Sequence, residues 1–181
     1  VATIEPFKQL KSVGLIAGPD GRKMSKRFGN VVNPDDVVKT YGADTLRIYE
    51  MFMGPFDQGI AWSTDNMIGS RRFIERVWRL RQKVAINAPG KPGFADTKAV
   101  TSLLHKTIKK VGEDIDSFAF NTAISAMMIL VNAMEKEEAV SAEAYAALLL
   151  LLAPFAPHMT EELFATLPMN VKKTTGGEKS I

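Results

Sequence analysis

The sequence contains no cysteine and only two histidines, His105 and His158. Without cysteine there are no disulfides and no thiolate metal sites, which suits a reducing compartment and leads us to expect a cytoplasmic protein. Two histidines far apart exclude a His-rich metal centre and any motif built on closely spaced histidines, so no metal ligand set is expected. No apolar run reaches the ~18 residues that cross a bilayer. The longest, over 144–156, is interrupted by Pro154, and no membrane partner is expected. The opening residues lack the apolar segment of a signal peptide. The chain starts at Val1 rather than Met, so we expect an excised piece of a longer polypeptide.

What is present is a 181-residue chain with 46% hydrophobic and 24% charged residues, the balance of a globular protein with a core. The net charge of +3 is too mild to name a partner. Its distribution says more. Arg22, Lys23, Lys26 and Arg27 crowd one loop, and Arg71, Arg72, Arg76, Arg79, Arg81 and Lys83 crowd one later segment against Glu75 alone. Local basic clusters attract phosphates. A solvated helix face is the plain alternative for the second cluster.

Residues 1–32 are irregular, with Gly14, Gly18, Gly21 and Gly29 as punctuation and possible strand ends at 13–17 and 31–32. The stretch looks too small to hold a core. From Asn33 the pattern turns helical. Asn33 can cap, Pro34 fits the first helical position, and Gly42 ends a short helix. Another helix spans 43–53, and a loop over 54–62 leads to Trp62. Ser63 or Thr64 can cap a long helix to about 85, with Phe73, Val77, Leu80 and Val84 at helical spacing. The stretch 87–93 is a break. Further helices are expected over about 97–115 (stripe Leu104, Ile108, Val111, Ile115), 121–136, 141–153 and 158–167. The methionines read as core filler. Amphipathic helices with short connections give a mainly α fold, an antiparallel bundle preceded by a short mixed α/β piece.

The informative stretch is 18–32, GPDGRKMSKRFGNVV. Two lysines three apart, Lys23 and Lys26, can converge on one pyrophosphate, and glycines let the backbone approach an anion. Ser25 adds a hydroxyl. Neither a Walker-type loop nor a GxGxxG fingerprint occurs. On charge and spacing alone, a basophilic kinase site at Ser25 and a simple basic surface patch remain open.

The residues themselves go further. Lys23-Met24-Ser25-Lys26-Arg27 resembles the KMSKS signature of class I aminoacyl-tRNA synthetases. Phe28 to Val32 and Tyr41-Gly42-Ala43-Asp44-Thr45-Leu46-Arg47 resemble its continuation in the large aliphatic-specific subgroup. Met51-Phe52-Met53-Gly54-Pro55 with Trp62, and Arg72 to Leu80, resemble the leucyl enzymes. Pro154 to Leu163 resembles a segment of the subgroup's tRNA-binding bundle. Arg27 stands where Ser is commoner, and Phe28 where Lys is common.

The resemblance, over about 5–168, implies a segment of an enzyme that activates leucine with ATP and passes it to tRNA(Leu). It implies ATP contacts at Lys23, Met24, Ser25, Lys26 and Arg27, with Lys23 and Lys26 catalytic and Mg2+ on the nucleotide. It places tRNA contacts at Arg71, Arg72, Arg76 and Arg79, and a monomer is expected. It also implies an order of parts: the end of a catalytic domain (1–32), a connecting element (33–62), an anticodon-binding-type helical bundle (63–168) and a polar tail (169–181). The family's second signature needs two histidines three apart, and its nucleotide-binding sheet, leucine pocket and editing domain lie upstream. This piece is therefore expected to be inactive alone. A non-catalytic RNA-binding helical module and a synthetase for another aliphatic amino acid are the alternatives.

Other residues have plainer readings. Trp62 and Trp78 read as packing residues, His105 and His158 as structural, Asp44 and Arg47 as a local helix pair, and Glu113, Asp114 and Asp116 as a solvated acidic patch. Clustered cations and glycines lead us to expect more motion over 18–29 than around Leu104, Ile124 and Leu149.

Overall fold

The computed structural model describes residue 7, residues 9–85 and residues 95–174. The break expected over 87–93 and the end of the polar tail lie outside the described residues, apart from the first residues of that tail.

The first unit is built from strand β1 (Ile16–Ala17), helix α1 (Pro34–Tyr41), helix α2 (Ala43–Phe52) and strand β2 (Ile60–Ala61). β1 pairs with β2 in parallel, Ile16 opposite Ile60 and Ala17 opposite Ala61. The chains approach closely at Gly14, whose N–H donates to the Phe56 carbonyl at 2.9 Å. A Cβ there would lie 2.0 Å from the Gln58 carbonyl oxygen, so only glycine fits. Asn33 caps α1 by accepting from the Asp35 N–H at 3.2 Å, and Gly42, at φ 90, turns the chain into α2. The unit has a core of its own: Val37, Leu46, Tyr49, Trp62 and Met67, with Ile16, Met24, Val32 and Tyr41 packed against it. The sequence hid this because Met67 comes from the next helix and Trp62 from a connecting loop.

Helix α3 (Thr64–Leu80) starts at Ser63, whose hydroxyl accepts from the Asn66 N–H at 3.4 Å. It stops at Leu80 and does not run to 85. A 3₁₀ turn (Arg81–Lys83) and strand β3 (Val84–Ala85) follow. The Lys83 ammonium donates to the Glu135 and Glu137 carbonyls at 2.6 and 2.8 Å. This draws β3 into parallel pairing with β4 (Val140–Ser141).

Helices α4 (Lys98–Asp116), α5 (Phe120–Met134), α6 (Ala142–Leu152) and α7 (Pro157–Ala165) complete the bundle with α3. Ile124, Met127, Leu130 and Met134 of α5 and Leu148, Leu149 and Leu152 of α6 are fully buried. Here two methionines fill the core as read. The α4 stripe is rotated from the expected one. Val100, Thr107, Val111 and Asp114 face inward, Leu104 is half-buried, and Ile108 is exposed. Asp114 is therefore not part of a solvated patch. It accepts from the Thr122 hydroxyl at 2.7 Å and from Lys110 at 3.1 Å, tying α4 to α5. His105 lies on the exposed side of α4. The expected polar tail begins instead as helix α8 (Met169–Thr174), where Val171 is buried against the core.

Asp44 and Arg47 do not pair with each other. Both reach from α2 to the corner between α6 and α7. Asp44 accepts from the N–H groups of His158 and Met159 at 3.4 and 2.7 Å and lies 2.8 Å from His158 Nδ1. Arg47 donates to the Phe155 and Pro154 carbonyls at 3.2 and 2.8 Å.

A second cross-link joins α3 to α5. Arg76 Nε donates to both Glu135 carboxylate oxygens at 3.1 and 3.0 Å, and its Nη2 donates to Glu135 and to Asn132. That hydrogen bonding holds the Glu135 carboxyl below its ordinary value of 4.5. A depressed folded value means the stabilisation is complete above the ordinary range and is lost as pH falls through the folded value. Glu135→Gln should cost about 1–2 kcal/mol in urea unfolding at pH 7. The deficit should shrink as the pH drops below 4.5.

Candidate nucleotide and RNA site

The loop over 18–32 is held by its own polar side chains. Gly18 and Arg22 close a turn, with the Gly18 N–H donating to the Arg22 carbonyl at 2.8 Å. Asp20 Oδ1 accepts from the Arg22 N–H at 3.1 Å and from Asn30 Nδ2 at 2.9 Å. Asn30 Oδ1 in turn accepts from the Ser25 N–H at 2.8 Å. The Asn30 hydrogen bond leads the causes that hold the Asp20 carboxyl below its ordinary value, with Arg22 adding to it. A Cβ at Gly18 would stand 2.7 Å from Asn30 Nδ2, so the glycine makes room for this network. No local sequence signal marks Asn30, because its partners lie five and ten residues back.

Within this frame Met24 turns inward onto the first unit's core, while Lys23, Lys26 and Arg27 stay exposed. Ser25 caps a 3₁₀ turn (Lys26–Phe28), its hydroxyl accepting from the Arg27 N–H at 3.3 Å, and Gly29 closes the turn at φ 62. Arg22 is neutralised by Asp20 at 2.8 Å and stacks over the Phe28 ring at 4.9 Å. Lys23, Lys26 and Arg27 are exposed and form no ion pair with the described residues. The result is three uncompensated cations on a loop pinned at Met24, a geometry suited to an anion with several charges.

The second basic cluster is divided by the fold. Arg76 is committed to Glu135. Arg71 donates to Glu75 at 2.8 Å and to the Tyr41 carbonyl at 3.0 Å. Arg72 and Arg79 are exposed and make no ion pair with the described residues. Arg71 and Arg79 line a cleft of about 560 Å³ between the α1–α2 corner, α3 and the start of α7. Trp78 and His158 line it too. Trp62 is buried, whereas Trp78 is 37% exposed with Arg81 stacked over its ring at 4.7 Å. Asn30→Ala should speed amide hydrogen exchange across residues 22–29 and leave α5 and α6 unchanged, as read by mass spectrometry.

Similarity to known proteins agrees with this division into loop and bundle. Residues 1–63 match the family model of class I tRNA synthetases (I, L, M and V), and residues 97–181 match the anticodon-binding domain of tRNA ligase. The chain is 34% identical to a leucyl-tRNA synthetase of Agrobacterium radiobacter, solved as a ternary complex with tRNA and LeuAMS. The match has a TM-score of 0.77 and covers 89% of this chain and 23% of that one. Two structures of Mycobacterium tuberculosis methionyl-tRNA synthetase with methionyl-adenylate share the fold at 18% identity. Their TM-scores are 0.67 and 0.62, covering 93% and 91% of this chain and 40% of theirs. The chain thus spans less than half the length of these relatives. With the class I model matching its first 63 residues and the anticodon-binding model matching the bundle that follows, the chain belongs to the class I tRNA synthetases of the isoleucine, leucine, methionine and valine group.

Proposed function

We propose that this chain is a segment of a leucyl-tRNA synthetase, supplying the loop that stabilises ATP and the helices that hold tRNA(Leu). The observation that carries the reading is the trio Lys23, Lys26 and Arg27, exposed and uncompensated on a loop anchored by Met24. In the first reaction the leucine carboxylate attacks the α-phosphorus of ATP and the bond to pyrophosphate breaks, giving leucyl-adenylate. Charge grows on the α-phosphate and the leaving pyrophosphate. Lys23 and Lys26 stabilise it as preorganised cations, with no covalent role. Arg27 adds a planar donor where a hydroxyl is commoner in the family. Ser25, already accepting from Arg27, keeps its proton to donate. Mg2+ bound to the nucleotide would neutralise further phosphate charge.

The segments 1–32, 33–62, 63–168 and 169–181 then serve as the end of the catalytic domain, a connecting element, the tRNA-binding bundle and a tail that opens with α8. Arg71, Arg72 and Arg79 face the tRNA, and Arg76 supports them by bracing α3 against α5. Leucine is favoured by the 34% identity to a leucyl enzyme, against 18% to the methionyl ones, and by the 51–55 stretch with Trp62. We place the enzyme in the cytoplasm as a monomer.

In the full-length enzyme, Lys26→Ala should lower leucine-dependent ATP–pyrophosphate exchange about 100-fold or more. Unchanged exchange would remove Lys26 from the mechanism. Aminoacylation with leucine, isoleucine, valine and methionine should give product with leucine alone.

A further inference from the structure

The cleft beside α3 has the form of a nucleotide site rather than of a phosphate patch. Ile74, Glu75, Trp78 and Arg79 line one wall, with Arg71 one turn before. Their spacing along α3 puts them on a single face. The opposite wall is the backbone corner at Gly42 and Ala43 together with Met159 of α7. The volume, about 560 Å³, lies in the range of small-molecule sites. The two carboxylates in the cleft are already engaged. Asp44 accepts from the α7 amides and Glu75 holds Arg71. The cations are not all consumed. Arg79 forms no ion pair with the described residues. Arg81 sits 4.7 Å over the Trp78 ring and fixes one side of it.

An apolar cleft with an aromatic wall and a cationic rim asks for a ligand that is flat and apolar at one end and anionic at the other. A base-paired duplex offers phosphates, 2′-hydroxyls and base edges but no free base face, because its bases are stacked on each other. An unpaired nucleotide offers both parts, and base stacking on an aromatic side chain is the usual way proteins hold single strands. Resting on the tRNA-binding reading above, we propose that this cleft takes one unpaired nucleotide of the bound RNA. Its base lies against Trp78 over Ile74 and Met159, and its phosphate lies on Arg79.

The test uses this 181-residue chain and three probes: an end-labelled single-stranded oligouridylate, a blunt RNA duplex of the same length, and uridine monophosphate. Anisotropy should show the single strand bound more tightly than the duplex. Trp78→Ala should weaken single-strand binding about tenfold or more. Trp78→Phe should restore most of the loss, and neither change should affect duplex binding. Arg79→Gln should flatten the salt dependence. Trp78 is part-exposed, and matching circular dichroism melts would confirm that the variants fold. Equal binding by wild type and Trp78→Ala would overturn the proposal, as would equal competition by the duplex. Uridine monophosphate competing as well as the strand would make this a free-nucleotide site and also overturn it. Binding of tRNA(Leu) is measured alongside. Binding that ignores Trp78 sinks only this cleft, whereas no binding by the wild-type chain sinks the tRNA reading with it.

Discussion

Helix α7 begins without a cap of its own. Its N-cap residue is Ala156, which has no side-chain acceptor, and its first residue is Pro157. The N–H groups of His158 and Met159 at the second and third positions would be orphans, and an uncapped start costs about 1 kcal/mol. Asp44 supplies the missing acceptor from a different helix, 114 residues earlier. Its carboxylate also meets the positive end of the α7 dipole. One turn along α2, Arg47 satisfies two carbonyls in the same corner, at Pro154 and Phe155. Five polar contacts therefore fix α2 to the bundle, and α2 is also the helix that carries Leu46 and Tyr49 into the first unit's core.

This grip sets where the basic loop over 22–27 stands. Met24 packs on the core that contains Tyr49 and Trp62, and Tyr49 also accepts from the Ser63 N–H at 2.8 Å, at the start of α3. The loop, α2, α3 and the α6–α7 corner thus form a chain of direct contacts. The cleft lined by Trp78 and Arg79 opens between the same three helical elements. A change in the angle between α2 and α7 would move the cleft wall and the loop anchor together.

Much of this was legible in the sequence. Caps at Asn33 and Ser63, the turn at Gly42 and the helices that follow them obey local rules that need no partner. The exposed basic loop over 22–27 was legible for the same reason, since its residues are contiguous. Pairings at long range were not. Asp44 and Arg47 have spacing that fits a local helix pair, and only the fold brings residues 154–159 beside them. Arg76 looked like one of several equivalent surface cations until Glu135 was placed opposite it. The rotated α4 face misled because Ile108 is apolar yet exposed, while Thr107 and Asp114 are polar yet buried, each satisfied by hydrogen bonds to Leu103, Thr122 or Lys110. Strands β1 to β4 have two residues each, too few for any periodicity to appear.

Asp44, acting as a cap from another helix, holds the loop-bearing unit on the bundle. Native-state hydrogen exchange followed by NMR on Asp44→Ala tests it most directly. Exchange should quicken at His158 and Met159, and with them at Val37 and Leu46 in the first unit's core, while Leu130 and Leu149 in the bundle stay unaffected. Unchanged protection at His158 and Met159, or a loss spread evenly through α5 and α6, would contradict it.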